Sequence, residues 1–190
     1  MKKILTDADG VLFDWETPFH EWMTKKGYYR QKDGLYNLAE VYGILSAEKL
    51  DLVREYNESA WICCLPALRD SIDGIAKLTA AGYKFDVITS LSLDPYAKRL
   101  RQQNLELHFG KEPWNELICL DTGADKDDAL AQYKDSGLWW IEDKPENCEA
   151  GLRAGLRPIL IDHPHNKTYV NSKVVRVNDW NDICEVILGE

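Results

Sequence analysis

Residues 5–14 read L-T-D-A-D-G-V-L-F-D. A short apolar run over 2–6 leads into Asp7, a second carboxylate follows at Asp9, and Gly10 opens another apolar run. Two carboxylates this close repel unless they face water or share a cation. A plain turn needs only one of them. The run before Asp7 has the length and bulk of a strand buried on both faces, as in a parallel sheet. A buried strand that ends on carboxylates sets the pattern for the rest of the chain.

Similar runs recur at 84–89 (K-F-D-V-I-T), 116–120, 138–141 and 158–161. Helical segments lie between them, with recognisable ends. Residues 69–81 place Ile72, Ile75 and Leu78 on one stripe and stop at Gly82. Asp94-Pro95 is a cap followed by a first-turn proline, opening a helix towards Asn104. Two further helices are expected over 126–135 and 146–154, the second stopped by Gly155, and 179–188 closes the chain. Strand alternating with helix predicts an α/β fold: a doubly wound parallel sheet with right-handed crossovers. Residues 14–66 break the alternation. They are too many for a loop and mostly helical in pattern, for example over 16–26 and 47–61. The expected organisation is a core of 1–13 and 67–190 with a helical cap at 14–66.

With 190 residues the chain can build one sizeable core but hardly two full domains. Its net charge of −9 argues against a nucleic-acid polymer as partner, although an acidic protein can still hold a small anion in a local cationic site. No apolar stretch reaches membrane-spanning length, and the start turns acidic too soon for a signal peptide. Cys63, Cys64, Cys119, Cys148 and Cys184 are odd in number and lack metal-finger spacing, so reduced thiols and a cytoplasmic setting are expected.

Ligands of open α/β sheets bind outside the carboxyl ends of the strands. Strand one brings Asp7 and Asp9 to that edge, strand two Thr89 and Ser90, strand four Glu142 and Asp143, and Lys126 opens the helix before strand four. Several carboxylates together suit a hard divalent cation such as Mg²⁺, which leaves room for a substrate phosphate oxygen. A hydroxyl and an ammonium can take the other phosphate oxygens. One aspartate can attack phosphorus and a second can move the proton of the leaving oxygen. Singly, each group has a plainer reading: a solvated turn, a helix-start charge, a strand end, a helix cap. Their joint order at successive strand ends favours chemistry.

D-A-D-G-V at 7–11, V-I-T-S at 87–90, Lys126 in G-A-D-K-D and I-E-D-K-P-E-N at 141–147 resemble the four motifs of the haloacid dehalogenase (HAD) superfamily of phosphatases. The resemblance covers nearly the whole chain outside the cap. It implies Asp7 as nucleophile and Asp9 as general acid/base, with phosphate held by Thr89, Ser90 and Lys126. It further implies a Mg²⁺ site of Asp7, Asp143 and the Asp9 carbonyl, with Glu142 behind it. The cap, L-P-A-L-R-D-S-I-D-G-I at 65–75 and R-P-I-L-I-D-H-P-H-N at 157–166 also resemble the 5'(3')-deoxyribonucleotidase branch, although Arg69 interrupts the Pro-Gly turn usual there. That branch implies hydrolysis of nucleoside monophosphates, small phosphorylated partners whose base would lie against aromatic rings. A sugar-phosphate phosphatase, a phosphotransferase and a silent nucleotide binder remain alternatives.

The cap carries Trp15, Phe19, Trp22, Tyr28, Tyr29, Tyr36, Tyr42 and Trp61. A small helical cap needs a core, so most of these are expected to be packing residues, with two or three lining a pocket. Trp139 and Trp140 are expected to pack inside strand four, and His163 and His165 to be turn or surface residues.

Overall fold

In the computed structural model, which describes residues 2–35 and 37–189, six parallel strands form one sheet in the order β3-β2-β1-β4-β5-β6. They are β1 (Lys2–Thr6), β2 (Tyr83–Thr89), β3 (Trp114–Cys119), β4 (Trp139–Glu142), β5 (Arg157–Ile161) and β6 (Val175–Val177). The chain winds outward from β1 to β3 on one side and then returns to place β4 on the other. β1 therefore stands where the strand order reverses, the position at which α/β sheets open a ligand crevice. Thr6 pairs with Val87 on one side and Ile141 on the other, so Asp7, Thr89 and Glu142 emerge at the same edge.

Side chains alternate across the sheet with the strand period of two. Ile4, Phe85, Val87, Trp139 and Ile141 join the cluster that includes α4 (Ser71–Ala80), α5 (Pro95–Phe109) and α8 (Trp180–Leu188). Leu5, Ile88 and Trp140 join the one beneath α6 (Asp127–Ala131) and α7 (Pro145–Arg153). Both faces are thus covered, which is why the strands read as continuous apolar runs. Trp139 and Trp140 pack as expected, and the indole N–H of Trp140 donates to the Asn147 carbonyl at 3.1 Å.

Residues 14–66 hold α1 (Glu16–Lys25), α2 (Leu38–Tyr42), α3 (Ser46–Asn57) and a 3₁₀ turn at Ala60–Cys64. The segment leaves and re-enters the sheet at one place. Phe13 bridges Ala67, and the Asp14 N–H donates to the Pro66 carbonyl at 2.9 Å. Its interior is aromatic: Trp15 stacks on Phe19 at 4.4 Å, and Tyr56 meets Phe19 edge-on at 5.2 Å. Arg54 pairs with Asp121 at 2.7 Å, and the Asn57 side-chain amide donates to the Leu91 carbonyl at 2.8 Å, fastening these helices over the sheet's carboxyl edge.

Some elements differ from the sequence reading. α5 continues to Phe109, past Asn104, and stops at Gly110. α6 spans only Asp127–Ala131, because turns follow it and Asp135 takes a left-handed φ of 57°. β6 is three residues long, too short to show a period. Arg69 also takes a positive φ, 48°, where the usual turn would have its glycine, and its guanidinium donates to the Asn178 and Asp162 carbonyls. The five cysteines are free, and among the described residues no helix is long and apolar enough to cross a membrane.

Candidate active site

The end of β1 is fixed by its neighbour: the Asp7 N–H donates to the Ile141 carbonyl of β4 at 2.9 Å. The Asp7 carboxylate accepts from the N–H of Ala8 through Oδ1 at 2.6 Å, and its Oδ2 stands 2.7 Å from the Lys126 ammonium. Lys126 is 2% exposed at the start of α6 and also reaches Glu142 Oε1 at 3.2 Å. Glu142 is already occupied by donors. Lys126 and the Asn147 side-chain amide share Oε1, and the Asp143 N–H donates to Oε2 at 2.8 Å. Its role is to hold Lys126 and the Asp143 backbone in place.

Asp143 is gripped from β5's far loop. The Asn166 side-chain amide donates to its carbonyl at 2.8 Å, and His165 Nε2 lies 3.2 Å from the same oxygen. His163 Nε2 lies 2.7 Å from the Gly10 carbonyl. Gly10 has a φ of 76°, and a Cβ there would meet Asp143 Oδ2 at 2.4 Å, so a side chain would evict the carboxylate. The two histidines therefore tie together the loops after β1 and β4; they are not simply surface residues.

Oxygen atoms of Asp7, Glu142 and Asp143 all lie within 4.8 Å of one another. Together with Asp9, four acids meet two bases, Lys126 and Arg101, so the ionised cluster carries two uncompensated negative charges. That excess and the hard oxygen donors fit one divalent cation. Burial alone is unfavourable here. It pushes the Asp7 and Asp143 carboxyls up to about 7, with Glu142 raising Asp7 further and Asp7 raising Asp143. Burial also raises Asp9 and Glu142. Burial opposes the charge of Lys126 too, but Asp7 and Glu142 outweigh it and hold the ammonium protonated.

Above the cluster lies a cleft of about 630 Å³ bordered by Asp7, Asp9, Thr89, Ser90, Lys126 and Asp143. The structure thus brings these six together, with Glu142 buried beneath. The Ser90 hydroxyl donates to the Ala124 carbonyl at 2.7 Å, bracing the loop that presents Lys126. The wall supplied by residues 14–66 mixes apolar Trp15, Leu35, Leu38, Leu50 and Val53 with polar Glu16, Asn37, Ser46 and Lys49. Among the described residues, Trp15 is the one cap aromatic in that wall. Phe19, Trp22 and Tyr42 are buried inside the cap, Tyr28 donates to Glu48, and Trp61 carries the Lys25 ammonium. Tyr29 is exposed, and Tyr36 lies outside the described residues.

Arg101 escaped the sequence reading. It comes from α5, is fully buried, and its Nη2 stands 2.6 Å from Asp9 Oδ1. A signal was present: Ala97, Leu100, Arg101, Asn104 and Leu105 form one buried helical stripe that contains a cation.

No protein-family model and no curated protein sequence matches the chain. Solved structures match over 95–100% of it at low identity. A predicted phosphatase from Clostridium acetobutylicum aligns with a TM-score of 0.70 and 15% identity, over 100% of this chain and 99% of that one. CbbY from Rhodobacter sphaeroides, in complex with phosphate, aligns at 0.66 and 17%, over 96% of each chain. The D,D-heptose 1,7-bisphosphate phosphatase from B. bronchiseptica, complexed with magnesium and phosphate, aligns at 0.63 and 16%, over 100% and 99%. What the chain shares with these structures is their α/β fold.

Proposed function

We propose that the chain is a Mg²⁺-dependent phosphatase of small phosphate monoesters, acting through a phosphorylated Asp7. One observation carries the reading: Asp7 and Asp143 converge at the mouth of a capped cleft beside Lys126, with Asp9 at its edge. The magnesium and phosphate named for the heptose bisphosphate phosphatase support it.

Asp7, Asp143 and the backbone at Asp9 would hold the ion, which would offset negative charge on the phosphoryl oxygens. Lys126 and the Thr89 hydroxyl hold the phosphoryl group by charge and hydrogen bonding, and Ser90, its hydroxyl given to the Ala124 carbonyl, borders it through its backbone. An oxygen of Asp7 attacks phosphorus and the bond to the leaving oxygen breaks, while Asp9 gives that oxygen its proton. Water then attacks the phosphorylated Asp7 and Asp9 takes the water's proton. The bond to Asp7 breaks and its carboxylate is restored. The sum is ester plus water giving alcohol plus phosphate.

Residues 14–66 act as the cap that selects the leaving group and excludes bulk water. The wall of Trp15, Leu38, Leu50 and Val53 favours a flat, largely apolar leaving group, and the cleft has the size of a small-ligand site. A nucleoside monophosphate meets both demands. Lys49 and Asn37 in the same wall keep a sugar phosphate as the second reading.

Phosphate release from nucleoside monophosphates and sugar phosphates, with Mg²⁺ and with chelator, tests both levels. The proposal expects chelator-sensitive release that favours nucleotides. Preference for sugar phosphates would keep the chemistry and remove the nucleotide. Release unaffected by chelator would remove the metal.

A further inference from the structure

A guanidinium buried with one ion-pair partner is a poor way to stabilise a fold, because desolvation is offset only by well-made bonds. Arg101 is such a group. Its side chain is 0% exposed, its ion pair is made through Nη2 to Asp9 Oδ1, and Nε and Nη1 donate to no protein atom among the described residues. Phe13 covers it, with the ring centroid 5.0 Å from Cζ. The Asp9 side chain is 25% exposed and borders the cleft, so its other face is open to substrate.

We infer that Arg101 is a positioning residue that fixes the Asp9 carboxyl, holding Oδ1 inward so that the remaining oxygen delivers the proton to the leaving group. The inference rests on the reading of Asp9 as proton donor. Of the two carboxyl oxygens, the one that accepts from a guanidinium is the less basic, so the proton sits on the oxygen that can reach the substrate. A donor must be within hydrogen-bond reach of the leaving oxygen, and an aspartate with two free torsions is seldom there without such a restraint. Nothing is consumed in this role. Arg101 keeps its own protons while the Asp9 proton passes to the leaving oxygen and returns from water.

Two substrates separate this role from a structural one. An alkyl phosphate needs its leaving oxygen protonated, whereas p-nitrophenyl phosphate has a leaving group stable as an anion. The quantity to compare is kcat/KM, which reports the step that breaks the ester bond. For Arg101→Met, kcat/KM on the best alkyl phosphate of the panel should fall about a hundredfold or more, and on p-nitrophenyl phosphate less than about tenfold. Arg101→Lys, which keeps a cation, should recover part of the alkyl activity, and it serves as the test if the Met variant does not fold. In an Asp9→Asn background Arg101→Met should cost nothing further, since both act through one group. Equal losses on both substrates, or additive losses in the double variant, would overturn the inference. Asp9→Asn alone must show the same substrate dependence. If it does not, the proton-donor reading fails first, and the inference with it.

Discussion

The Cβ that Gly10 lacks would stand 2.4 Å from Oδ2 of Asp143. The turn leaving β1 and the carboxylate leaving β4 therefore fill adjoining space, with the backbone at a φ of 76°. Gly10→Ala meets both obstacles: the methyl group displaces Asp143, and an L-residue is strained in that conformation. Stability should fall by about 1–3 kcal/mol, and phosphatase activity should fall more than the melting shift explains. Melting and phosphate release on the same preparation check this. Full activity would show that Asp143 can work from another position.

Asp7→Asn changes the site least in shape and most in chemistry. The amide cannot attack phosphorus, so turnover should fall on the order of ten-thousandfold or more. The Ile141 backbone bond and the packing remain. Single-turnover measurements quenched in acid should find no hydroxylamine-sensitive phosphate on the variant. Retained turnover would move the nucleophile elsewhere.

The site carboxyls also set a pH dependence. Burial first, then a neighbouring carboxylate, raises Asp7 and Asp143 from 3.8 to about 7 in the metal-free protein. Between those limits the folded chain binds more protons than the unfolded one, so these groups make the metal-free fold less stable as pH rises from about 4 to about 7. A cation bound to the ionised carboxylates reverses that loss. The rise in melting temperature on adding Mg²⁺ should be small near pH 5 and grow steadily towards pH 8. A rise independent of pH would place the cation away from Asp7 and Asp143.

Leu50 is 39% exposed in the cleft wall, so Leu50→Asp should change stability by only about 0.5 kcal/mol. A carboxylate there disfavours an apolar base. KM for nucleoside monophosphates should rise about tenfold, the scale of one lost hydrophobic contact, with kcat largely kept. If KM for nucleotides is unchanged, the base does not lie on this wall.

Much of the architecture is legible in the sequence because parallel strands buried on both faces are short, apolar and interrupted by capped helices. Asp7, Lys126 and Asp143 stand out because each follows or precedes such an element at the same edge of the sheet. Arg101 does not, because a lone arginine in a helix reads as a solvated charge until the helix's buried stripe is drawn through it. His163 and His165 follow a strand end, yet their contacts include the carbonyls of Gly10 and Asp143, and backbone acceptors leave no mark in sequence. The cap aromatics show a further limit. Composition supplies the rings, but only packing decides that Phe19 and Trp22 face inward while Trp15 faces the cleft.

The bridge between Phe13 and Ala67 has a consequence for how such a protein can diversify. An insertion whose two ends are bonded neighbours is a loop already closed, and lengthening a closed loop costs only a slowly growing entropy. Segments of very different size could then be grafted at this junction with little effect on how the strands assemble. Substitutions within 14–66 can accumulate without passing through Asp7, Lys126 or Asp143, which lie outside that segment. Inheritance can rework that segment while leaving the strand-end carboxylates as they were.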